Sequence, residues 1–294
     1  MAVVATGFFD GVHLGHRQVI QTLVSSARER GEEAIVVTFR THPRTVLQQD
    51  AHSLRLLNSP QEKEALLRGL GVDRVEVLPF DRAFARMKAE QYLREVLQGR
   101  LGATLLVLGF DNRLGSDRLT PDRIAPIAAT LGLEVTVVPP AVAEINAISS
   151  TAVSSTKIRE ALEEGNVEVA EAMLGYAYML RGVVVGGKQL GRTLGFPTAN
   201  LRLYDPMKLV PARGVYLTEV EVLGRRGWGM TNVGVIIETH IFDFDEDIYG
   251  HDLEIRFRRH LRAMRSFDSL GALKAQLAAD EATCREMITS LSRA

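Results

Sequence analysis

Over the first half of the chain, short apolar runs alternate with segments of helical period. Residues 3–9, 34–39, 75–80, 105–109 and 134–139 are apolar runs of strand length. Between them, residues 14–30, 60–70, 89–98 and 121–131 repeat apolar positions at helical spacing, as with Val19, Ile20, Leu23 and Val24. Gly31, Gly71 and Gly132 supply helix stops. Strands apolar along their length, alternating with helices, predict an α/β domain whose parallel sheet is covered on both faces. Two more helical segments, 155–164 and 167–174, end at Gly165 and Gly175.

From Tyr176 onward the pattern changes. Residues 181–185, 215–222, 229–233 and 253–257 read as strands. Leu253-Glu254-Ile255-Arg256-Phe257 alternates strictly, as a half-exposed antiparallel strand does. Turn signals at Gly186-Gly187, Asp205-Pro206, Gly224 and Tyr249-Gly250 separate these runs. A small, mainly antiparallel β-barrel or sandwich is expected, with a closing helix over 270–289 capped by Asp268 or Ser269. The expected domains are residues 1–178 and 179–294.

Composition narrows the partners. Lys and Arg number 35 against 36 Asp and Glu, a net charge of −1. That balance disfavours a nucleic-acid coat, and no nucleic-acid partner is expected. The single cysteine, Cys284, allows no intrachain disulfide and fits a reducing, cytoplasmic setting. No apolar run approaches the ~18–20 residues of a membrane span, so no membrane partner is expected. The apolar start lacks a basic region and reads as a buried strand, not a signal peptide. Oligomerisation is left undetermined.

Candidate chemistry begins where the first strand ends, in Gly7-Phe8-Phe9-Asp10-Gly11-Val12-His13-Leu14-Gly15-His16. Two histidines three apart share a face where a helix begins. A helix N-terminus attracts phosphate, imidazoles there can donate to phosphoryl oxygens, and Gly15 permits close approach. A metal half-site and two unrelated surface histidines are the competing readings. The metalloprotease spacing is absent. A second segment, Val153-Ser154-Ser155-Thr156-Lys157-Ile158-Arg159, places three hydroxyls at a helix start and a guanidinium in its first turn, a phosphate clamp or an ordinary N-cap. Ile148-Ser149-Ser150-Thr151 is a similar run without the following Ile-Arg.

The first segment resembles the H-x-G-H signature of nucleotidyltransferases. The longer string G-F-F-D-G-V-H-L-G-H is similar to the adenylyltransferase module of bacterial bifunctional riboflavin kinase/FAD synthetases. The resemblance implies a Rossmann-like nucleotidyltransferase domain. His13 and His16 would be catalytic there; Gly7, Phe9, Asp10, Gly15, Asp111, Ser154, Ser155, Thr156 and Arg159 would bind ATP. Softer matches are Thr41-His42-Pro43-Arg44 and Gly109-Phe110-Asp111-Asn112-Arg113-Leu114-Gly115, both at strand C-terminal ends. The family often has an aromatic at Leu114 and an acidic residue at Asn166, so this chain departs at both positions.

The later half holds Gly186-Gly187-Lys188-Gln189-Leu190-Gly191-Arg192-Thr193-Leu194-Gly195-Phe196-Pro197-Thr198-Ala199-Asn200. It has neither the Walker A spacing nor the helical pattern of a dinucleotide fingerprint. The string G-R-T-L-G-F-P-T-A-N resembles the riboflavin kinase signature. The resemblance implies that Gly186, Gly191, Arg192 and Gly195 cover ATP phosphates and that Thr198 and Asn200 hold Mg²⁺. Glu238-Thr239-His240-Ile241-Phe242-Asp243-Phe244 resembles the kinase strand whose Glu is the catalytic base, here Glu238; by composition alone it would be a solvated residue. The run Arg256, Arg258, Arg259, Arg262 and Arg265 is expected to be solvated, with one or two near nucleotide or flavin.

The resemblance therefore implies riboflavin, FMN and FAD as substrates and products, ATP as co-substrate and Mg²⁺ as metal. A chain retaining one of the two activities, or a non-enzymatic flavin- or nucleotide-binding protein, is the alternative. One departure stands out: only Val235, Ile236 and Ile237 separate Gly234 from Glu238, where the family has a longer connection. Either the loop is trimmed or residues are omitted from the sequence; omission is the expectation.

Overall fold

The computed structural model describes residues 1–42, 54–144, 150–187 and 190–292. The chain divides into two compact units, Met1–Ser155 and Thr156–Ala294.

The first unit is built on β1 (Ala2–Thr6), β2 (Glu33–Phe39), β3 (Arg74–Leu78), β4 (Ala103–Gly109) and β5 (Glu134–Val138). All pairs are parallel, in the order β3-β2-β1-β4-β5. Successive side chains alternate between two cores. Val4, Ile35, Val37, Leu106 and Leu108 face one; Val3, Ala5, Val36, Leu105 and Val107 face the other. Helices α1 (Leu14–Arg30) and α2 (Pro60–Gly69) cover the second face through Val19, Ile20, Leu23, Ala27 and Leu67. Helix α3 (Ala89–Gln91), which continues as a π-helix over Tyr92–Arg100, and α4 (Pro121–Thr130) cover the first. The strand order reverses between β1 and β4, where an open α/β sheet forms its ligand crevice at the strand C-termini. A two-stranded hairpin, β6 (Val142–Glu144) with β7 (Ser150–Ala152), was not foreseen from the pattern.

The second unit opens with most of α5 (Ser155–Glu163) and α6 (Val167–Leu174). It continues into a closed barrel of β8 (Met179–Val185), β9 (Ala199–Leu203), β10 (Gly214–Val222), β11 (Arg225–Val233), β12 (Ile237–Ile241) and β13 (Asp252–Ala263). The ring runs β10-β11-β12-β9-β8-β13, every pair antiparallel. β13 extends well beyond the alternating pentapeptide. Register shifts against β10 near Val215 and Leu217 bend the pair toward closure. A five-residue helix, α7 (Leu190–Leu194), lies inside the glycine-rich string, where no helix was expected. The closing helix α8 (Leu270–Leu291) is N-capped by Ser269, whose hydroxyl accepts from the Ala272 N–H at 3.1 Å.

Helix α8 is fastened by charge as well as by apolar contact. Its buried residues are Asp280 and Cys284. Arg262 of β13 donates to both Asp280 oxygens, at 2.6 Å and 3.0 Å, and Gln276 donates to the same carboxylate at 2.6 Å. Removing one member of a buried pair strands the other charge. Asp280→Ala should destabilise the second unit by about 3 kcal/mol, read by urea unfolding; a change within experimental error would show that the pair does not hold the helix.

Candidate functional sites

The first site forms where β1 passes into α1. Backbone sterics exclude most L-residues from positive φ, yet Phe9 sits at φ 53° and Val12 at φ 36°, flanking Gly11 at 86°. Such a turn persists only if its surroundings over-determine it. The Phe8 carbonyl accepts from Lys63 Nζ (2.9 Å) and Thr38 Oγ1 (3.1 Å). The Asp10 carboxylate accepts from the backbone N–H groups of Leu57 (3.0 Å) and Asn58 (3.3 Å). The Asp10 carbonyl accepts from Ser155 Oγ (2.9 Å), and the Val12 carbonyl from Arg17 Nε (3.3 Å). Phe9, Asp10, Val12 and His13 are all buried.

This turn delivers the two histidines stacked, ring centroids 3.6 Å apart at 16°. His13 is the N-cap of α1: its Nδ1 accepts from the His16 N–H at 3.4 Å, which leaves its proton on Nε2. His16 Nδ1 is buried with no hydrogen-bond partner among the described residues. Loss of hydration, then the neighbouring His13 and Lys63, push the His16 pKa well below its ordinary value, so its ring is neutral near pH 7. Gly15 lies in the first turn of α1, and Gly7 follows β1.

The loop after β4 borders the same crevice. Asp111 is exposed there, while Asn112, which the motif reading did not select as a site residue, donates to the Thr6 carbonyl at 3.0 Å. Asn112 Oδ1 is buried without a partner among the described residues. Ser154 precedes α5, and Ser155, Thr156 and Arg159 lie in its first five residues. Pro43, Arg44, Ile148, Ser149, Lys188 and Gln189 lie outside the described residues.

The second site lies in the barrel unit. Glu238 of β12 is paired in register with Asn200 of β9 on one side and Asn232 of β11 on the other. With its amide oriented by its neighbours, Asn200 donates to Glu238 Oε1 (3.1 Å) and accepts from the Gly187 N–H (3.2 Å). Asn232 Nδ2 stands 3.5 Å from Glu238 Oε2. A Cβ at Gly187 would fall 1.8 Å from the Asn200 side-chain amide, and one at Gly191 would fall 2.2 Å from the Phe196 carbonyl, so the string needs glycine at both. Gly186 follows β8 and Gly195 follows α7.

Two cavities meet at Thr198. One of ≈ 260 Å³ contains Glu238, Asn232, Arg262, Met264 and Phe267. The other, ≈ 500 Å³, contains Arg192, Thr239, Asp247 and Tyr249. The metal reading rests on Thr198 and Asn200, both oxygen donors, beside a carboxylate and the buried, unpartnered Asn232 Oδ1. This all-oxygen donor set fits Mg²⁺, which keeps most of its ligands as water and phosphate.

The arginine run is not simply solvated. Arg256 pairs with Glu221 (3.3 Å), Arg258 with Glu171 (2.7 Å), Arg259 with Glu168 (3.9 Å) and Arg262 with Asp280 (2.6 Å). Arg262 and Arg265 alone of the five line the smaller cavity.

Comparison with known proteins bears on both sites. An FAD synthetase family model matches residues 1–152, and a riboflavin kinase model matches residues 174–288. The bifunctional riboflavin kinase/FMN adenylyltransferase of Listeria monocytogenes is 35% identical, over 98% of this chain and 93% of that protein. The chain belongs to this bifunctional family. The Escherichia coli relative of the same description is 35% identical over 97% of this chain and 92% of its own length. A crystal structure described as a macrolide-efflux protein from Streptococcus pneumoniae superposes with TM-score 0.88 at 34% identity, covering 97% of this chain and 93% of that one. Among the described residues no helix is long and apolar enough to cross a membrane. The family segments hold His13, His16 and Asp111 in the first and the glycine-rich string and Glu238 in the second. Ser154–Arg159 falls between them. The short connection before Glu238 is a bend over residues 234–236, with Val233 paired to Ile237 and the Gly234 N–H donating to the Ile236 carbonyl at 3.1 Å. Three residues suffice to join the strands, so the structure does not require the omission expected above.

The lowered His16 pKa has a sign. The unfolded chain takes up this proton near the ordinary histidine value, whereas the folded chain resists it, so the first unit should lose stability as pH falls below about 6.5. Thermal unfolding at stepped pH should show this, and His16→Asn should flatten the slope. A slope that His16→Asn leaves unchanged would contradict the assignment.

Proposed function

We propose that the first site adenylylates FMN to FAD and the second phosphorylates riboflavin to FMN, both from ATP. The observation that carries the reading is the presence of a stacked His13–His16 at a helix N-terminus in one unit and of an amide-flanked Glu238 lining a cavity in the other. In the first site, an FMN phosphate oxygen attacks the α-phosphorus of ATP, and the α–β anhydride bond breaks to release pyrophosphate. Neutral imidazoles donate to phosphoryl oxygens as charge builds there, aided by the positive end of α1. Ser154, Ser155, Thr156 and Arg159 hold the triphosphate, with Gly7, Phe9, Asp10, Gly15 and Asp111 shaping the pocket. We keep the functional boundary at 178/179, because the Ser-Ser-Thr-x-Ile-Arg segment serves the first reaction.

In the second site, Glu238 accepts the proton of a ribityl hydroxyl whose oxygen attacks the γ-phosphorus, and ADP leaves. Asn200 and Asn232 orient the carboxylate. Gly186, Gly191, Arg192 and Gly195 cover the phosphates, and Thr198 and Asn200 hold Mg²⁺, which neutralises phosphate charge when bound. A near-neutral chain with one buried cysteine fits a cytoplasmic enzyme of small molecules.

The two sites separate by mutation. Glu238→Gln should slow riboflavin phosphorylation by about 10²–10⁴-fold and spare conversion of supplied FMN to FAD, resolved chromatographically. His13→Ala with His16→Ala should do the reverse. Loss of both steps by either change, in a folded protein, would refute the division of labour.

A further inference from the structure

Lys63 is a charged residue on the wrong face of its helix. Helix α2 has a capping box at Ser59 and Glu62 and turns Lys63 and Leu67 inward, one turn apart. Leu67 enters the core beneath β2, while Lys63 is only 6% exposed. A methionine would fill that place without the cost of burying an ammonium. The ammonium instead reaches the strained turn. Its Nζ donates to the Phe8 carbonyl (2.9 Å) and to Thr38 Oγ1 (3.0 Å), and lies 3.9 Å from the centre of the Phe8 ring. Thr38 Oγ1 donates its own proton to the same carbonyl, so the three groups close a triangle. The Phe8 carbonyl belongs to the peptide directly before Phe9, the first residue forced to positive φ.

We propose that Lys63 is a positioning residue for adenylyl transfer: held with Thr38 on the Phe8 carbonyl, it keeps residues 9–12 in the strained form that presents His13 and His16. The titratable groups facing it are Asp10 and His16. Asp10 compensates its charge and is itself tied to Leu57 and Asn58, so one stretch of chain, 57–63, grips the turn from both sides. Burial lowers the Lys63 pKa to about 8, which leaves it mostly charged at neutral pH, and that charge helps keep His16 in its neutral, donating form. Lys63 touches no reacting atom in this scheme. It acts through the backbone, and the inference rests on the first unit being the adenylyltransferase site.

The test uses the full chain with both steps measured. Lys63→Met keeps the packing of the stem and removes the charge. It should lower kcat for FMN-to-FAD conversion about ten- to a hundred-fold, the worth of a hydrogen bond to a charged group, and leave riboflavin phosphorylation unchanged. In Lys63→Ala, added n-propylammonium should restore part of the FAD rate, whereas n-propanol of the same length should not. A purely structural lysine would respond equally to both. Thr38→Val removes the bridging hydroxyl under milder conditions for folding. It should lower the same rate, and less than additively when combined with Lys63→Met. Wild-type FAD synthesis by Lys63→Met, equal rescue by the alcohol, or strict additivity would overturn the proposal. Wild-type protein that forms no FAD at all would instead overturn the reading of the site, and this proposal with it.

Discussion

A backbone turn that a free peptide would not hold governs the first half of this protein. Phe9 and Val12 occupy positive φ, at a cost of about 1–3 kcal/mol each. Four anchors from outside the turn meet that cost: Lys63 and Thr38 on Phe8, the Leu57 and Asn58 N–H groups on Asp10, Ser155 on the Asp10 carbonyl, and Arg17 on Val12. Because the turn is fixed, α1 is capped by His13, and that start brings the two imidazoles into a stack. The sheet order then places the β4 loop next to them, tied by Asn112 to Thr6.

The barrel reaches its site by a different route. No residue of the Glu238 cluster depends on backbone strain. Three neighbouring strands put Asn200, Glu238 and Asn232 side by side, and sheet register alone aligns their side chains. The glycine-rich string fits over this row because Gly187 and Gly191 carry no Cβ. Helix α8 closes one side through Asp280 and Arg262, which links the wall of the smaller cavity to the closing helix. One unit therefore stores strain in a turn, and the other spreads its order across a closed sheet.

What could be read from the sequence follows from these routes. The central strands β1, β2 and β4 were legible because both their faces are buried, leaving apolar runs, whereas the edge strands β3 and β5 expose Val77 and Val137 and carry polar residues; helices α1, α2 and α6 were legible through spacing and glycine stops. The length of β13 was not, because its second half is arginine-rich and its charges are met by Glu171, 87 residues away, and by Asp280, 18 residues away on the closing helix. Strand β9 was hidden inside a motif read for its phosphate chemistry. His13, His16 and Glu238 were proposed as site residues from local strings. Lys63 and Asn232 were missed because their partners lie 55 and 6 residues away, and only the fold brings them together. A lysine on the inner stripe of an otherwise amphipathic helix was the one available signal for Lys63.

The central claim is that one chain performs two chemically distinct transfers from the same nucleotide. The most direct measurement follows phosphorus. The protein is incubated with riboflavin, Mg²⁺ and ATP labelled at either the γ- or the α-phosphorus, and the flavins are separated. Two such transfers put γ-label in FMN and in FAD, and α-label in FAD alone. Absence of γ-label from both flavins, absence of α-label from FAD, or α-label in FMN would contradict that claim.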